Sequence, residues 1–345
     1  MDLQNYIGNV ARCCISAIGM LANLLILYIV ARYPTMRTAC NVYVANLAAT
    51  DFALCLLVLI QSSIVQSEPP YWTGDRYTGF TLNYVRSCDI SRVILIFLTS
   101  ASVLLLTVIA VERYRAITNP LRSRQHGTVK HAGRICGAVW IAAVLAAVID
   151  TIARNVVTND WTFTSASLYS ISCVVLKLES SDASQPLFII SLLKFLLGYV
   201  LPSCIIIPLY VRILVKVRQS SRLAVRETRT DHQAYLMVLV VTVFFLITWL
   251  PIYIIQLLIH LFYQNENIMV LQVALLLALL NSVANPFLYG LLGKNFRDKV
   301  AQTFCCKQDT RNILQTTSTS DFAMEQATNG PGQAQGIDRL GMSTV

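Results

Sequence analysis

Charge is scarce in this chain. Only 13% of its 345 residues are Asp, Glu, Lys or Arg, against about 25% in a soluble domain. Metal-ligand spacing is missing as well: the four histidines, His126, His131, His232 and His260, are scattered among loops and a helix end. There is no nucleophile–base pair to suggest an enzyme and no inverted internal repeat to suggest a transporter. No Asn-x-Ser/Thr sequon occurs, so no N-glycan is expected. The ten cysteines do not make a secreted-type framework, since Cys55, Cys136 and Cys204 lie inside apolar runs and read as small core residues.

Apolar sequence fills the space. Hydrophobic residues make up 55% of the chain and the mean hydropathy is +0.59. Seven stretches, roughly 9–31, 40–65, 91–111, 135–153, 187–211, 235–262 and 268–292, are each long enough to span a bilayer. The third is the axis of the chain. From Cys88 to Arg113 a helix rises roughly 38 Å, more than the hydrocarbon thickness of about 30 Å, with no charge between Arg92 and Glu112. The first stretch has Asp2 and Arg12 at its head and no small-residue cleavage site, so it is read as a retained helix.

Lys and Arg set the orientation. The loops 32–38, 113–134 and 211–234 with segment 293–307 hold 18, and the opposite side holds 5. The rich side is expected in the cytoplasm, which leaves the N-terminus outside and the C-terminus inside. The positive balance is therefore a topology signal, and no nucleic-acid partner is expected. Cys88 and Cys173 both fall on the outer side, where a disulfide can persist.

Polar residues inside the spans are the functional candidates, because lipid penalises them. Asp51 is flanked by apolar residues in the second span. Asn23, Ser102, Asn281, Ser282 and Asn285 are candidate companions. Such a cluster fits either a sodium ion, since oxygens suit a hard cation, or a water-filled structural network. Pro251 removes a backbone hydrogen bond from the sixth span and makes it a natural pivot, with Trp249 two residues before it. Lys194 stands among Leu and Phe in the fifth span. It pairs either with an acidic ligand group, assisted by Arg92, or internally with Asp150.

Seven sets of residues now line up: Gly19 and Asn23; Asn46-Leu47-Ala48 and Asp51; Cys88 and Glu112-Arg113-Tyr114; Trp140; Pro202 and Tyr210; Phe245, Trp249 and Pro251; Asn285-Pro286-Phe287-Leu288-Tyr289. On these marks the chain resembles the rhodopsin-like (class A) G-protein-coupled receptors over roughly residues 9–306. The resemblance implies an all-α membrane protein at the plasma membrane. It divides into a short extracellular N-terminus (1–8), a seven-helix transmembrane bundle (9–292), an amphipathic membrane-surface helix (293–306) and a disordered cytoplasmic tail (307–345). It implies a non-enzymatic receptor without a resident cofactor, apart from a sodium ion at Asp51, Ser102, Asn281 and Ser282. It also implies a Cys88–Cys173 disulfide.

By the same resemblance, Arg113 pairs with Glu112 and Asp231 in a latch that opens toward a heterotrimeric G protein. Tyr114, Tyr210, Phe245, Pro251, Asn285, Pro286 and Tyr289 serve as switch residues. Thr248 departs from the Cys common before that Trp, and Val103 from the commoner Ile. Gln61, Arg92, Leu95, Ile96, Thr99, Lys194, Trp249, Ile252, Tyr253, Gln256, Leu275 and Leu279 face the ligand. Leu279 replaces the retinal-binding lysine, and Leu95 replaces the aspartate of amine, opioid and somatostatin receptors. The run from Asn281 to Arg297, and a loop before the fifth span long enough for a strand hairpin, resemble neuropeptide receptors of the somatostatin, opioid and galanin type. Leu95 and Leu98 depart from that pattern. A peptide ligand is therefore expected, with a small anion or lipid acid as the alternative that Lys194 and Arg92 suggest.

The cytoplasmic end carries further marks. Phe296, Val300 and Phe304 share a face on a short amphipathic helix expected to lie on membrane lipid. Cys305 and Cys306 follow as palmitoylation candidates. Thr316-Thr317-Ser318-Thr319-Ser320 is a phosphorylation cluster of the kind that recruits arrestin. Ser343-Thr344-Val345 fits a PDZ ligand.

Overall fold

The computed structural model describes residues 3–66, 79–119, 123, 127–158, 170–171, 174–175, 181–223, 229–261, 268–292 and 294–304. Helices dominate, because inside lipid a backbone must satisfy its own polar groups. In order they are α1 (Leu3–Arg32), α2 (Ala39–Gln66), α3 (Gly79–Thr118), α4 (Val129–Thr158), α5 (Ser181–Phe195), α6 (Leu201–Leu223), α7 (Arg229–Leu261), α8 (Ile268–Leu292) and α9 (Lys294–Phe304). A π-helical turn, Leu196–Val200, joins α5 to α6. Between α4 and α5 stand two short strands, β1 (Ser170–Ile171) and β2 (Val174–Val175). They pair antiparallel in the register Ser170↔Val175, and β2 lies against α3.

Among the described residues, seven stretches are long and apolar enough to cross a membrane: Tyr6–Arg32, Ala39–Ser63, Ile90–Thr118, Val129–Val157, Pro186–Lys216, Leu239–Leu258 and Val270–Leu288. They coincide with the seven apolar runs of the sequence. The first and third helices begin earlier than those runs, since backbone hydrogen bonding continues past the last apolar residue. The chain divides into two compact units at Arg297/Asp298, inside α9. The described part of the second unit is the end of α9, held locally by Lys299 Nζ donating to Gln302 Oε1 at 2.9 Å.

The third span is central, touching α2, α4, α6 and α7. Its buried face runs through Leu98, Ala101, Val103, Leu105, Leu106, Ile109 and Ala110. At its inner end Lys216 Nζ donates to Thr118 O at 2.6 Å, a cation on the carbonyl end of a helix. Trp140 Nε1 donates to Asn46 Oδ1 at 2.9 Å and its ring meets Phe97, so α2, α3 and α4 close on one another there. Gly19 lets α1 approach: a Cβ on it would sit 2.6 Å from Val283 and 2.7 Å from Cys55. Outward residues such as Ile141, Ile149, Leu197 and Ile247 are exposed and apolar, as acyl chains require.

The fifth span is not one regular helix. It contains the π turn because Pro202 has no N–H and its ring crowds the carbonyl four residues back, on Gly198. Leu201 N–H accordingly reaches back five residues, to Leu196 O.

Candidate functional site

The inner half centres on Asp51, which is completely buried in α2. Asn285 Nδ2, from α8, donates to Asp51 Oδ2 at 2.7 Å. The hydroxyls of Ser102 (α3) and Ser282 (α8) lie beside the same carboxylate. Asn23 Nδ2 donates to Gly19 O and Ser282 O, both at 3.0 Å, tying α1 to α8. The expected cluster thus comes together from four helices. Among the described residues, several of its atoms make no close hydrogen bond: Asp51 Oδ1, Asn23 Oδ1, Ser282 Oγ and both amide atoms of Asn281. Orphaned oxygens around one buried carboxylate fit a hard monovalent cation.

Toward the Arg113 end of α3, Tyr210 and Phe245 are buried, and Glu112, Arg113 and Tyr114 are half-buried. Among the described residues, neither Glu112 nor Arg113 closes an ion pair. The Asp231 side chain lies outside the described residues, as does that of Tyr289, although their backbones belong to α7 and α8. Pro286 is buried within α8 and Pro251 half-buried within α7, and both helices continue through them. Thr248 Oγ donates to Phe244 O at 2.9 Å, one turn back from the hinge.

The outer half is lined by aromatic rings. Trp249 packs on Phe245 (6.3 Å between centroids) and on Tyr253 (6.0 Å). Phe195 and Tyr199 extend the row from the other side, each meeting Tyr253. Tyr199 also donates its hydroxyl to Leu246 O at 2.8 Å, joining the π turn to α7 five residues before Pro251. Gly198 permits that approach, since a Cβ there would stand 2.6 Å from the Tyr253 hydroxyl. Tyr199 was not singled out from sequence. Its only signal is its place three residues before Pro202, where a widened turn redirects the side chain.

The remaining pocket candidates divide by what they touch. Leu95 packs with Phe97 and Ala53 on the buried cluster Leu54, Leu57 and Leu98. Ile96, Gln256 and Leu275 are half-buried, and Ile252 and Leu279 buried. Thr99 spends its hydroxyl on Leu95 O at 2.8 Å. Gln61 is buried in α2. Lys194 resolves the choice left by sequence: its Nζ stands 2.6 Å from Asp150 Oδ1, while Arg154 Nε is 3.8 Å from Asp150 Oδ2. Arg92 is half-buried on α3, near enough to Arg154 and Lys194 to feel their charge. The expected disulfide rests on Cys88, whose side chain lies outside the described residues, and on Cys173, which lies outside them altogether. Cys305, Cys306, the hydroxyl cluster and the C-terminal tripeptide also fall outside.

Comparison with known proteins bears on the same segments. The signature of the family described as "7 transmembrane receptor (rhodopsin family)" matches residues 22–289. The chain is a rhodopsin-family seven-transmembrane receptor. Rat somatostatin receptor type 4 is 30% identical over 335 residues, covering 94% of this chain and 82% of that receptor. Rat somatostatin receptor type 1 is 29% identical, over 84% of this chain and 69% of that receptor. Human type-1 angiotensin II receptor is 28% identical, over 82% and 76%. This family consists of multi-pass membrane receptors rather than enzymes.

Proposed function

We propose that this receptor binds an extracellular peptide, with its N-terminus outside the cell, and activates heterotrimeric G proteins. The observation that carries the reading is that its relatives are receptors for somatostatin and for angiotensin II, both peptides. The β1–β2 hairpin against α3 supports it, because an extended strand edge offers a peptide backbone hydrogen bonds. The alternative, a small anionic metabolite or lipid acid, rested on Lys194 and Arg92, and of these Lys194 is engaged by Asp150.

Activation is a population shift. A peptide pressing on Trp249 and Tyr253 biases the part of α7 inward of Pro251. That part swings outward, Arg113 leaves Asp231, and the crevice admits a Gα terminus. A sodium ion among Asp51, Ser102, Asn281 and Ser282 would favour the resting arrangement by supplying positive charge to the carboxylate. Arrestin at the phosphorylated tail, a PDZ protein at Ser343-Thr344-Val345, acyl chains on Cys305 and Cys306, and α9 on the inner lipid surface complete the reading on the cytoplasmic side.

The test is a screen of peptide and organic-acid libraries for G-protein activation in cells. Activation by a peptide, with potency indifferent to Lys194→Ala, supports the reading. Activation by an organic acid alone, lost in Lys194→Ala, replaces it with the alternative. For the latch, Asp231→Arg is expected to raise basal signalling, and unchanged basal activity counts against it.

A further inference from the structure

A second polar layer lies outward of Asp51, on the side of the bundle away from the aromatic row. Asn9, Arg12 and Ser16 occupy one face of α1, three and four residues apart. All three are buried, Arg12 with only 6% of its surface exposed. Asn9 Nδ2 donates to Ser62 O on α2 at 3.2 Å, and Arg12 Nη2 donates to Asn9 Oδ1 at 3.1 Å. Gly8 stands against Gln272 of α8, whose Oε1 would lie 2.8 Å from an added Cβ. The layer is thus walled by α1, α2 and α8.

The guanidinium at its centre is not satisfied. Among the described residues, Arg12 Nε and Nη1 are buried without a hydrogen-bond partner, and so are Ser16 Oγ and Ser62 Oγ. A guanidinium stays charged in a protein and offers five N–H donors in a planar fork. A surface arginine near a helix end would extend its head into water; this one is turned into the bundle. Donors of fixed positive charge with hydroxyls beside them match a carboxylate, which accepts in a bidentate manner through two oxygens.

We propose that Arg12, with Ser16 and Ser62, forms a carboxylate-binding subsite between α1, α2 and α8, apart from the aromatic-lined centre of the bundle. Asn9 holds the guanidinium in place. The subsite takes a free carboxylate of the agonist, its chain terminus or an acidic side chain. That attribution rests on the peptide reading above. The binding of a bare acid does not, so the two fail separately.

The test uses the full-chain receptor in phosphatidylcholine nanodiscs and reads thermal unfolding. The probe is N-acetyl-leucine at millimolar concentration, and its carboxamide twin is the control. The acid is expected to raise Tm in the wild type and the amide to leave it unchanged. Arg12→Gln should abolish the response, and Arg12→Lys should keep part of it, which covers the case in which Arg12→Gln folds poorly. No response in the wild type, or the same response in Arg12→Gln, overturns the proposal. So does a Tm gain on adding phosphatidylglycerol that needs Arg12 while the acid has no effect, because that gives the seat to a lipid headgroup.

Discussion

Two buried polar layers share the wall of α1, α2 and α8, and they carry opposite charge. Around Asp51 the protein supplies donors: Asn285 directly, with Ser102 and Ser282 alongside. Around Arg12 the described residues supply one acceptor, Asn9 Oδ1, and leave two nitrogens unmet. The layers are eleven residues of α1 apart, measured from Arg12 to Asn23, or about 16 Å of rise. A third buried charge, Asp150, shows what a closed solution looks like, with Lys194 at 2.6 Å and Arg154 at 3.8 Å. The difference teaches how to sort such groups. A charge answered by the chain is structural. A charge only partly answered among the described residues is where a partner of opposite sign is proposed, a cation beside Asp51 and an anion beside Arg12.

Removing the answered charge should do most harm. Asp150→Asn strands Lys194 and takes from Arg154 a carboxylate 3.8 Å away. Breaking a fully buried pair costs 3–5 kcal/mol. The Lys194 side chain keeps 26% of its surface exposed, which reduces the loss to about 2 kcal/mol. A fall in Tm of several degrees is expected in thermal unfolding of the full chain. An unchanged Tm would place Asp150 among the unanswered charges and undo the sorting.

The proposed cation at Asp51 gives the next largest effect. A ligand at a tenfold excess over its Kd stabilises by about 1.4 kcal/mol. Replacing choline with sodium should therefore raise the wild-type Tm by a few degrees, and Asp51→Asn should flatten that response. Equal sodium responses in both proteins would make the Asp51 layer a water-filled network instead.

Legibility followed the same division. The seven spans could be read from sequence because lipid demands long apolar runs, and Asp51 with Asn23 and Asn285 because polar groups inside such runs need one another. Lys194 and Asp150 were legible as one of two possible pairings, but sequence could not choose between them, since the distance between two spans is not written in either. Arg12 was visible too and was absorbed as a flank of the first span; its burial depends on how α1 leans on α2 and α8. Tyr199 was missed because the π turn that redirects it arises from a clash at Gly198, not from any periodicity. Tyr199→Phe should remove a hydrogen bond worth about 1 kcal/mol. If only the resting state makes that bond, basal G-protein activation rises as much as about fivefold. No change would mean that both states keep it.

The smallest effect is the most discriminating, because its sign is what matters. Arg12→Met removes a buried charge that no described residue neutralises. Replacing such a group by an apolar side chain of similar length is often neutral or stabilising. The substitution also orphans Asn9 Oδ1, which costs on the order of 1 kcal/mol. The net expectation for the ligand-free receptor is a Tm unchanged or raised by no more than a few degrees, opposite in direction to Asp150→Asn. The same variant should gain nothing from N-acetyl-leucine, so that at high acid concentration the wild type overtakes it. A fall in Tm as deep as that of Asp150→Asn would show that Arg12 already has its counter-charge within the folded chain, and the two layers would then differ in sign alone.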